Sequence, residues 1–420
     1  MKIGFACLTV GVPDTQMRTC RKISATPEKL IELIQNNLEV TERILDYSIQ
    51  NNLKMYRLSS DLIPFGSDLA TNTLDWVQLF EPLFTRIGRK IKQHHIRVSM
   101  HPGQYTVLNS PDEDVVTRAI ADLEYHNLIM DALKVNQHHK IILHIGGAYG
   151  DKAAAKERFI ATYQQLSPQV KARLIIENDH SLYTIEDVLE ISRATGAPVV
   201  YDNLHNSCNP SDTSKTDADW IKLAKETWTA EEGPAKVHYS QQRAGGRLGA
   251  HTATIYIKPF MAYYREVAPL EVDIMLEVKD KNLSAVKAHL ATSEAGDIKH
   301  LEQEWSRYKY AVLQHSPSHY QAVRQLLKDK TSYPVMAFYQ LIEEALEEIP
   351  TQQVELNAID HIWGHFKKLA TDKEKARFEQ TKEQWLAGRF GINRLKSMLK
   401  RLAVKYKDAY LLQSLFFELD

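Results

Sequence analysis

Through roughly the first 290 residues, short apolar runs rich in β-branched side chains alternate with longer stretches in which apolar residues recur three and four apart. That alternation is the signature of repeated βα units. The runs predict strands at Lys2–Leu8, Met55–Leu58, Ile96–Met100, Ile141–Ile145, Leu174–Ile176, Val199–Tyr201, Lys236–Tyr239 and Ile274–Val278. Eight such strands are the number that closes a TIM-like (β/α)8 barrel, so an α/β fold of that type is expected. The intervening periodicity predicts helices at Pro27–Asn51, Leu74–Gln93, Val115–Lys134 and Ile185–Thr195, the first opened by Thr26-Pro27-Glu28.

After Lys281 the pattern changes. Strand-like runs give way to Lys, Glu, Gln, Leu, Tyr and His in consecutive helical segments, predicting helices at Pro317–Lys328 (capped by Ser316), Val335–Glu347, Ile359–Leu369 and Ile392–Tyr406. The expected organisation is a barrel over residues 1–295 and a C-terminal all-helical domain over 300–420. A chain of 420 residues, 44% hydrophobic and 25% charged, is long enough for two cores.

Positive and negative charges nearly cancel, at a net −1, so any surface for a polyanion has to be a local patch. Cys7, Cys20 and Cys208 are odd in number, widely spaced and lack a CxxC pair, which argues against a disulfide framework or a zinc ribbon and fits a reducing cytoplasm. The apolar run Ile3–Val12 stops at Pro13-Asp14 without a convincing cleavage site and reads as a buried strand. No apolar stretch approaches the ~20 residues of a spanning helix, so a soluble chain with no membrane partner is expected.

In a barrel of parallel strands the reactive groups sit at the C-terminal strand ends. Here those ends are dominated by metal-type donors: His101 after the third strand, His144 in the fourth, Glu177 after the fifth, and Asp202 with His205 after the sixth. The seventh strand carries Lys236 and His238, its following loop His251, and the eighth strand ends in Glu277. Taken singly, a strand-end His is usually a hydrogen-bonded structural residue and a Glu a solvated charge. Together, three carboxylates and five imidazoles on one rim would repel or stay unsatisfied without cations. Mixed N/O donors suit Zn, Mn or Fe better than Mg or Ca, and the number of donors favours two or three ions. Such clusters serve phosphoryl transfer, so metal-assisted phosphodiester hydrolysis is the expected reaction.

The motifs HPGQY, LHIGG, IENDH, YDNLHN, KVHYS and LEVKDK resemble those of the ultraviolet damage endonucleases, over roughly residues 1 to 290. The resemblance implies a DNA repair enzyme that nicks damaged duplex DNA on the 5′ side of cyclobutane dimers and 6-4 photoproducts, leaving a 3′ hydroxyl and a 5′ phosphate. It also implies a cluster of Mn²⁺ ions, with Glu177 bridging two of them, His101 and His144 on one, Asp202, His238 and Glu277 on the other, and His205 and His251 on a third. Glu177, Lys236, His238 and Glu277 would form the catalytic centre. Lys236 would be an N6-carboxylysine; an ordinary lysine contacting phosphate is the alternative.

Gln104 and Tyr105 follow the Pro102-Gly103 turn and are candidates for filling the gap that an extracted lesion leaves. Tyr105 packed beneath its loop is the plainer alternative. The segment Gln241–His251 combines glycines with Arg243 and Arg247, a composition that lets backbone approach phosphate while guanidiniums neutralise it, and equally that of a mobile loop. Arg57, Ser59 and Ser60 could reach phosphate or cap the next helix; Lys279 and Lys281 are lesser candidates. Two regions depart from the family pattern: Leu8, Thr9 and the stretch Arg18 to Lys22 match no lesion-reading motif, and Asp68 stands where relatives carry a histidine.

Residues 305 to 420 resemble the YbgA-like domain of unknown function, with His361 and His365 four apart beside Trp363, Phe366 and Lys367. A monomer is expected. Two other enzyme classes share the barrel: an endonuclease IV-like enzyme for abasic sites, which differs in lesion, and a xylose-isomerase-like sugar isomerase, whose sites need fewer histidines. A scaffold with structural metals leaves the one-sided rim unexplained.

Overall fold

The chain, described as a computed structural model over residues 1–419, forms the expected barrel. Its strands are β1 (Ile3–Ala6), β2 (Met55–Arg57), β3 (Arg97–Met100), β4 (Lys140–His144), β5 (Leu174–Glu177), β6 (Val199–Asp202), β7 (Lys236–Tyr239) and β8 (Asp273–Leu276). They are parallel, in sequence order, and closed by β8 pairing with β1. Nearly every strand residue is buried, because helices cover one face of each strand and the barrel interior the other; this is why the strands read as continuous apolar runs.

Register brings the chemistry level. His144 lies opposite Glu177 across β4 and β5, and Asp202 lies opposite His238 across β6 and β7. Side chains of the same sign of pleat therefore meet inside one layer near the C-terminal rim.

Several helix boundaries follow local chemistry. Thr26 caps the helix Pro27–Gln50 through Lys29 N, and Thr184 with Asp187 forms a capping box for Ile185–Thr195. The single helix expected over Leu74–Gln93 is instead two, Trp76–Leu79 and Glu81–Gln93. Pro82 has no N–H to extend the first helix but fits the first turn of the second, so the chain breaks at Phe80. In the C-terminal part, Thr351 starts a helix at Gln352 that runs to Phe366, well ahead of the expected Ile359 start.

At the end of the barrel opposite the rim, buried arginines tie strands together. Arg97 donates to the carbonyls of His138 (3.1 Å) and Pro234 (2.6 Å) and pairs with Asp273 (2.9 Å). Asp273 also accepts from Lys2 N (2.7 Å), which locks β8 to the start of β1. Arg173 satisfies the carbonyls of Val135, Asn136 and His139 and pairs with Asp131.

The chain divides into two compact units. One comprises Met1–Thr9, Asp14–Ile255 and Ala262–Val286 and contains the barrel; the other comprises Val10–Pro13, Tyr256–Met261 and the chain from Lys287 onward. The second unit is helical, around a core in which Trp363 stacks on Phe378 (4.0 Å, 9°) among Ile359, Ile362, Phe366 and Leu399. Inside it, buried Glu343 accepts from Ile257 N (3.0 Å) and Lys287 Nζ (2.7 Å).

Replacing Arg97 by Leu leaves Asp273 buried without its cation. Such a loss costs about 3–5 kcal/mol, and a lower urea midpoint for the barrel's unfolding transition, followed by circular dichroism, is the expected outcome.

Candidate metal centre and active site

Glu177 closes β5, is essentially inaccessible, and is the hub of the rim. His238 Nδ1 lies 2.7 Å from its Oε1 and His101 Nε2 3.2 Å from its Oε2, with His205 Nδ1 at 3.6 Å and His144 Nε2 at 3.8 Å. Two sets of donor atoms come close enough to hold a cation, His101/His144/Glu177 and Glu177/Asp202/His238. Glu277 joins the second set through His238 Nδ1 at 3.3 Å. His205 adjoins both Glu177 and Asp202, whereas His251 belongs to neither set; it is half-buried, its strand bridge being to Gln242.

The donors fit a metal in detail. His101 Nδ1 lies 3.1 Å from the Pro102 carbonyl and Nε2 3.2 Å from Glu177 Oε2, so a cation between Nε2 and the carboxylate would leave Nδ1 to hold the ring through Pro102. His205 Nδ1 donates to the Asn178 carbonyl (2.9 Å). Asp202 Oδ2 and His144 Nδ1 are buried with no hydrogen-bond partner, an arrangement that is costly unless something else binds there.

The electrostatics point the same way. Burial would raise the Glu177 carboxyl, but His238, His144 and His101 hold it well below the usual range. Burial, reinforced by Glu177 and Glu277, pushes Asp202 up to about 7. Burial opposes a charged His205, yet Asp202, Glu177 and Glu277 outweigh it and raise the imidazole to about 9. Burial keeps His144 and His238 at about 4, so both rings are neutral near neutral pH, the form that ligates. The pocket is a sink for positive charge.

Two residues do work that the sequence does not disclose. Arg57 is buried, pairs with Glu277 (2.7 Å) and donates to His238 Nε2 (2.8 Å), which leaves the ring's proton on Nδ1, facing Glu177, where a cation would have to displace it. It faces the cluster, and a phosphate contact is not available to a side chain in this position. Asn178 exchanges hydrogen bonds with the backbone of Asp202 (Nδ2 to O, 3.1 Å; N to Oδ1, 2.9 Å) while its carbonyl holds His205. Its place beside Glu177 in IENDH is the available signal. Ser60 Oγ donates to the His101 carbonyl (2.7 Å), and Ser59 Oγ accepts from Asp61 N, a turn-capping role.

Lys236 lies at the start of β7, fully buried, with no hydrogen-bond partner for Nζ. Burial, then Arg57 and Arg97, force its amine well below its ordinary value.

A groove of about 1270 Å³ adjoins the rim, lined by His144 and His205 at one side and by Gln104, Tyr105, Tyr149 and Leu182 beyond. Tyr105 is 84% exposed, so it does not pack beneath its loop. The loop itself is fixed by Thr106, whose N–H bonds the Gly103 carbonyl (3.0 Å) and whose hydroxyl bonds Asp122 (2.6 Å). Across the rim, Gln242 staples the loop that carries the exposed Arg243 and Arg247, accepting from Gly249 N (2.8 Å) and donating to the Arg247 carbonyl (2.9 Å). Asp68 binds Lys22 (2.9 Å) and Thr71 (2.6 Å), a loop-closing role. Lys279 is exposed and Lys281 half-buried. In the helical unit His365 bridges Tyr310 OH (3.0 Å) and Asp408 (3.1 Å), while His361 is exposed, so the two do not form a pair.

Comparison with known proteins agrees with this geometry. A family model described as UV-endonuclease UvdE matches residues 1–309, and one for a protein of unknown function, DUF1722, matches 309–419. A UV DNA damage endonuclease of Clostridium perfringens is 40% identical over 353 residues, covering 82% of this chain and 83% of that protein. One from Bacillus cereus (strain G9842) is 35% identical over 260 residues, 61% of this chain and 81% of its own. The crystal structure of SacUVDE superposes with a TM-score of 0.65 at 34% identity, covering 69% of this chain and 96% of that one.

Glu177→Gln keeps the shape of the hub but removes its charge. Purified and dialysed against excess Mn²⁺, the variant is expected to retain at least one metal equivalent fewer than the parent by elemental analysis, with an unchanged far-ultraviolet spectrum.

Proposed function

Because the chain belongs to the UV-endonuclease UvdE family, and is therefore a DNA repair endonuclease for ultraviolet-damaged DNA, we propose how its own residues carry out the incision. The scissile phosphodiester is the one on the 5′ side of the lesion, and hydrolysis leaves a 3′ hydroxyl and a 5′ phosphate. The observation that carries this reading is the convergence of four imidazoles on buried Glu177 at the rim, beside a groove bearing an exposed ring.

The rim is able to hold a divalent metal, and we assign two or three Mn²⁺ ions to it. Glu177 would be shared between two sites, His101 and His144 completing one and Asp202, His238 and Glu277 the other, with His205 and His251 serving a third. When bound, these ions supply Lewis acidity, activating water and neutralising charge that develops on the phosphate. The protein's part is to orient the donors. Arg57 fixes His238 and Glu277, Asn178 fixes Asp202 and His205, and Pro102 fixes the His101 tautomer.

Lys236 is assigned as an N6-carboxylysine. In its amine form, which burial favours, Nζ would attack CO2, forming the N–C bond and releasing one proton, and the resulting carbamate would meet guanidinium N–H groups of Arg57 and Arg97 that are buried without partners.

Gln104 and Tyr105 take the place vacated when the lesion leaves the stack. Tyr105 supplies a ring and Gln104 a polar amide, on a turn that Thr106 and Asp122 hold rigid. Arg243 and Arg247 would neutralise backbone phosphates. In this division of labour residues 1–295 cut and residues 300–420 form the helical domain. No described helix is long and apolar enough to cross a membrane. We place the enzyme, as a monomer, in the cytoplasm, where its free cysteines stay reduced.

The deciding assay uses an end-labelled duplex with one cyclobutane dimer, with Mn²⁺ or EDTA, beside undamaged and abasic duplexes. A Mn²⁺-dependent nick 5′ to the dimer is the expected product. Cutting of the abasic duplex alone would transfer the reading to endonuclease IV-like chemistry, and no cutting by metal-loaded protein would end it. Tyr105→Ala, at constant metal content, should slow dimer incision by at least tenfold, an effect of about 1.4 kcal/mol; an unchanged rate removes the wedge role.

A further inference from the structure

The helical unit gathers charge that the rim chemistry does not use. Residues 367–407 contain thirteen Lys and Arg against four Asp and Glu, a net of +9 within a chain whose total is −1. The helix Asn393–Lys405 contains five basic residues and no acidic one. Solvated helices ordinarily interleave both signs, because opposite charges at i,i+4 stabilise and like charges repel.

The helices Asp372–Leu386 and Asn393–Lys405 pack antiparallel. Lys405 Nζ (2.6 Å) and Tyr406 OH (2.7 Å) both bind Glu374, which sets the register. Arg377 lies one turn beyond Glu374 on the first helix and Arg401 one turn before Lys405 on the second, and Arg394 lies seven residues before Arg401, two turns along the same helix. Of the segment's four carboxylates three are occupied locally, Asp372 with Lys375, Glu374 with Lys405, and Glu379 with Lys382, and the fourth, Glu383, is exposed. Among the described residues Arg377, Arg389, Arg394 and Arg401 are exposed and none pairs with a carboxylate. The segment therefore exposes four guanidiniums that no described carboxylate pairs with, within a net charge of +9.

We propose that this face, centred on Arg377, Arg394 and Arg401, is a second DNA-binding surface that grips the backbone phosphates of duplex DNA irrespective of damage. Arg394 and Arg401 are about 10 Å apart along the helix, a length over which a duplex presents roughly six phosphate charges. Base stacking is not on offer, which favours duplex over single strands. Phe378 and Trp385 are buried in the core, and Phe390 is covered by the Arg394 guanidinium at 4.6 Å. The proposal rests on the reading of the chain as a DNA enzyme and gives the domain of unknown function a task, holding undamaged flanking duplex.

The test uses the full-length protein in EDTA, with anisotropy of a labelled undamaged duplex of about thirty base pairs between about 50 and 200 mM salt. The triple variant Arg377→Ala/Arg394→Ala/Arg401→Ala should bind at least tenfold more weakly at the low-salt end. Its slope of log K against log salt should fall by about 2 to 3, at about 0.9 for each phosphate no longer neutralised. The corresponding triple Arg→Lys variant, which keeps the charge, should recover most of both. An unchanged slope overturns the proposal, as does a loss of binding to phosphatidylglycerol vesicles with duplex binding intact, which would make the face a membrane surface. Nicking of a dimer-containing duplex at saturating concentration is run in parallel and should be equal in parent and variant. Absence of nicking in both counts against the endonuclease reading, whereas normal nicking with an unchanged salt slope counts against this surface alone.

Discussion

The structure turns on one electrostatic problem, the burial of Glu177 within a layer that also holds Asp202 and Glu277. A carboxylate removed from water is tolerated only with counter-charge or hydrogen bonds at close range. The barrel supplies these from every side: His238 and His101 touch Glu177 directly, and Arg57 neutralises Glu277 from beneath. Yet the supply falls short. Asp202 keeps one oxygen without a partner, and burial pushes its carboxyl up to about 7. What the protein leaves undone is what a divalent cation completes, and the chemistry of incision follows from that deficit.

The elements are legible where a local rule decides them. Buried parallel strands show as continuous apolar runs, and strand-end donors show because the fold assigns one rim to chemistry. The break at Phe80 is readable too, since Pro82 cannot extend a helix, but periodicity across Leu74–Gln93 masks it. Arg57 is not legible: its partners His238 and Glu277 lie about two hundred residues away, and YRLSSD alone suits a phosphate contact as well as a buried ion pair. Lys236 stands out for its neighbours in KVHYS, yet its isolation between two arginines needs the closed barrel to be seen. The basic helix pair is hidden because near-zero net charge conceals a segregated +9.

The rim and the opposite end of the barrel divide two tasks. Arg97, Arg173 and Asp273 carry closure at one end, and the donors and loops carry chemistry at the other. Loops such as His101–Thr106 and Gln242–Gly249 can therefore be fixed by their own hydrogen bonds without disturbing what keeps the strands together. The helical unit has its own stacked aromatic core, so its charge pattern is free to differ from that of the barrel.

Closure of β8 on β1 joins residues 271 positions apart through Lys2 and Asp273. Contacts of such separation form late, after loop-closure entropy has been met. Glu277, immediately beyond β8, comes into place with that same step, whereas His101, His144 and Glu177 are synthesised long before. The outer carboxylate of the second donor set therefore arrives only with the last strand, and the rim is finished by the same event that closes the barrel.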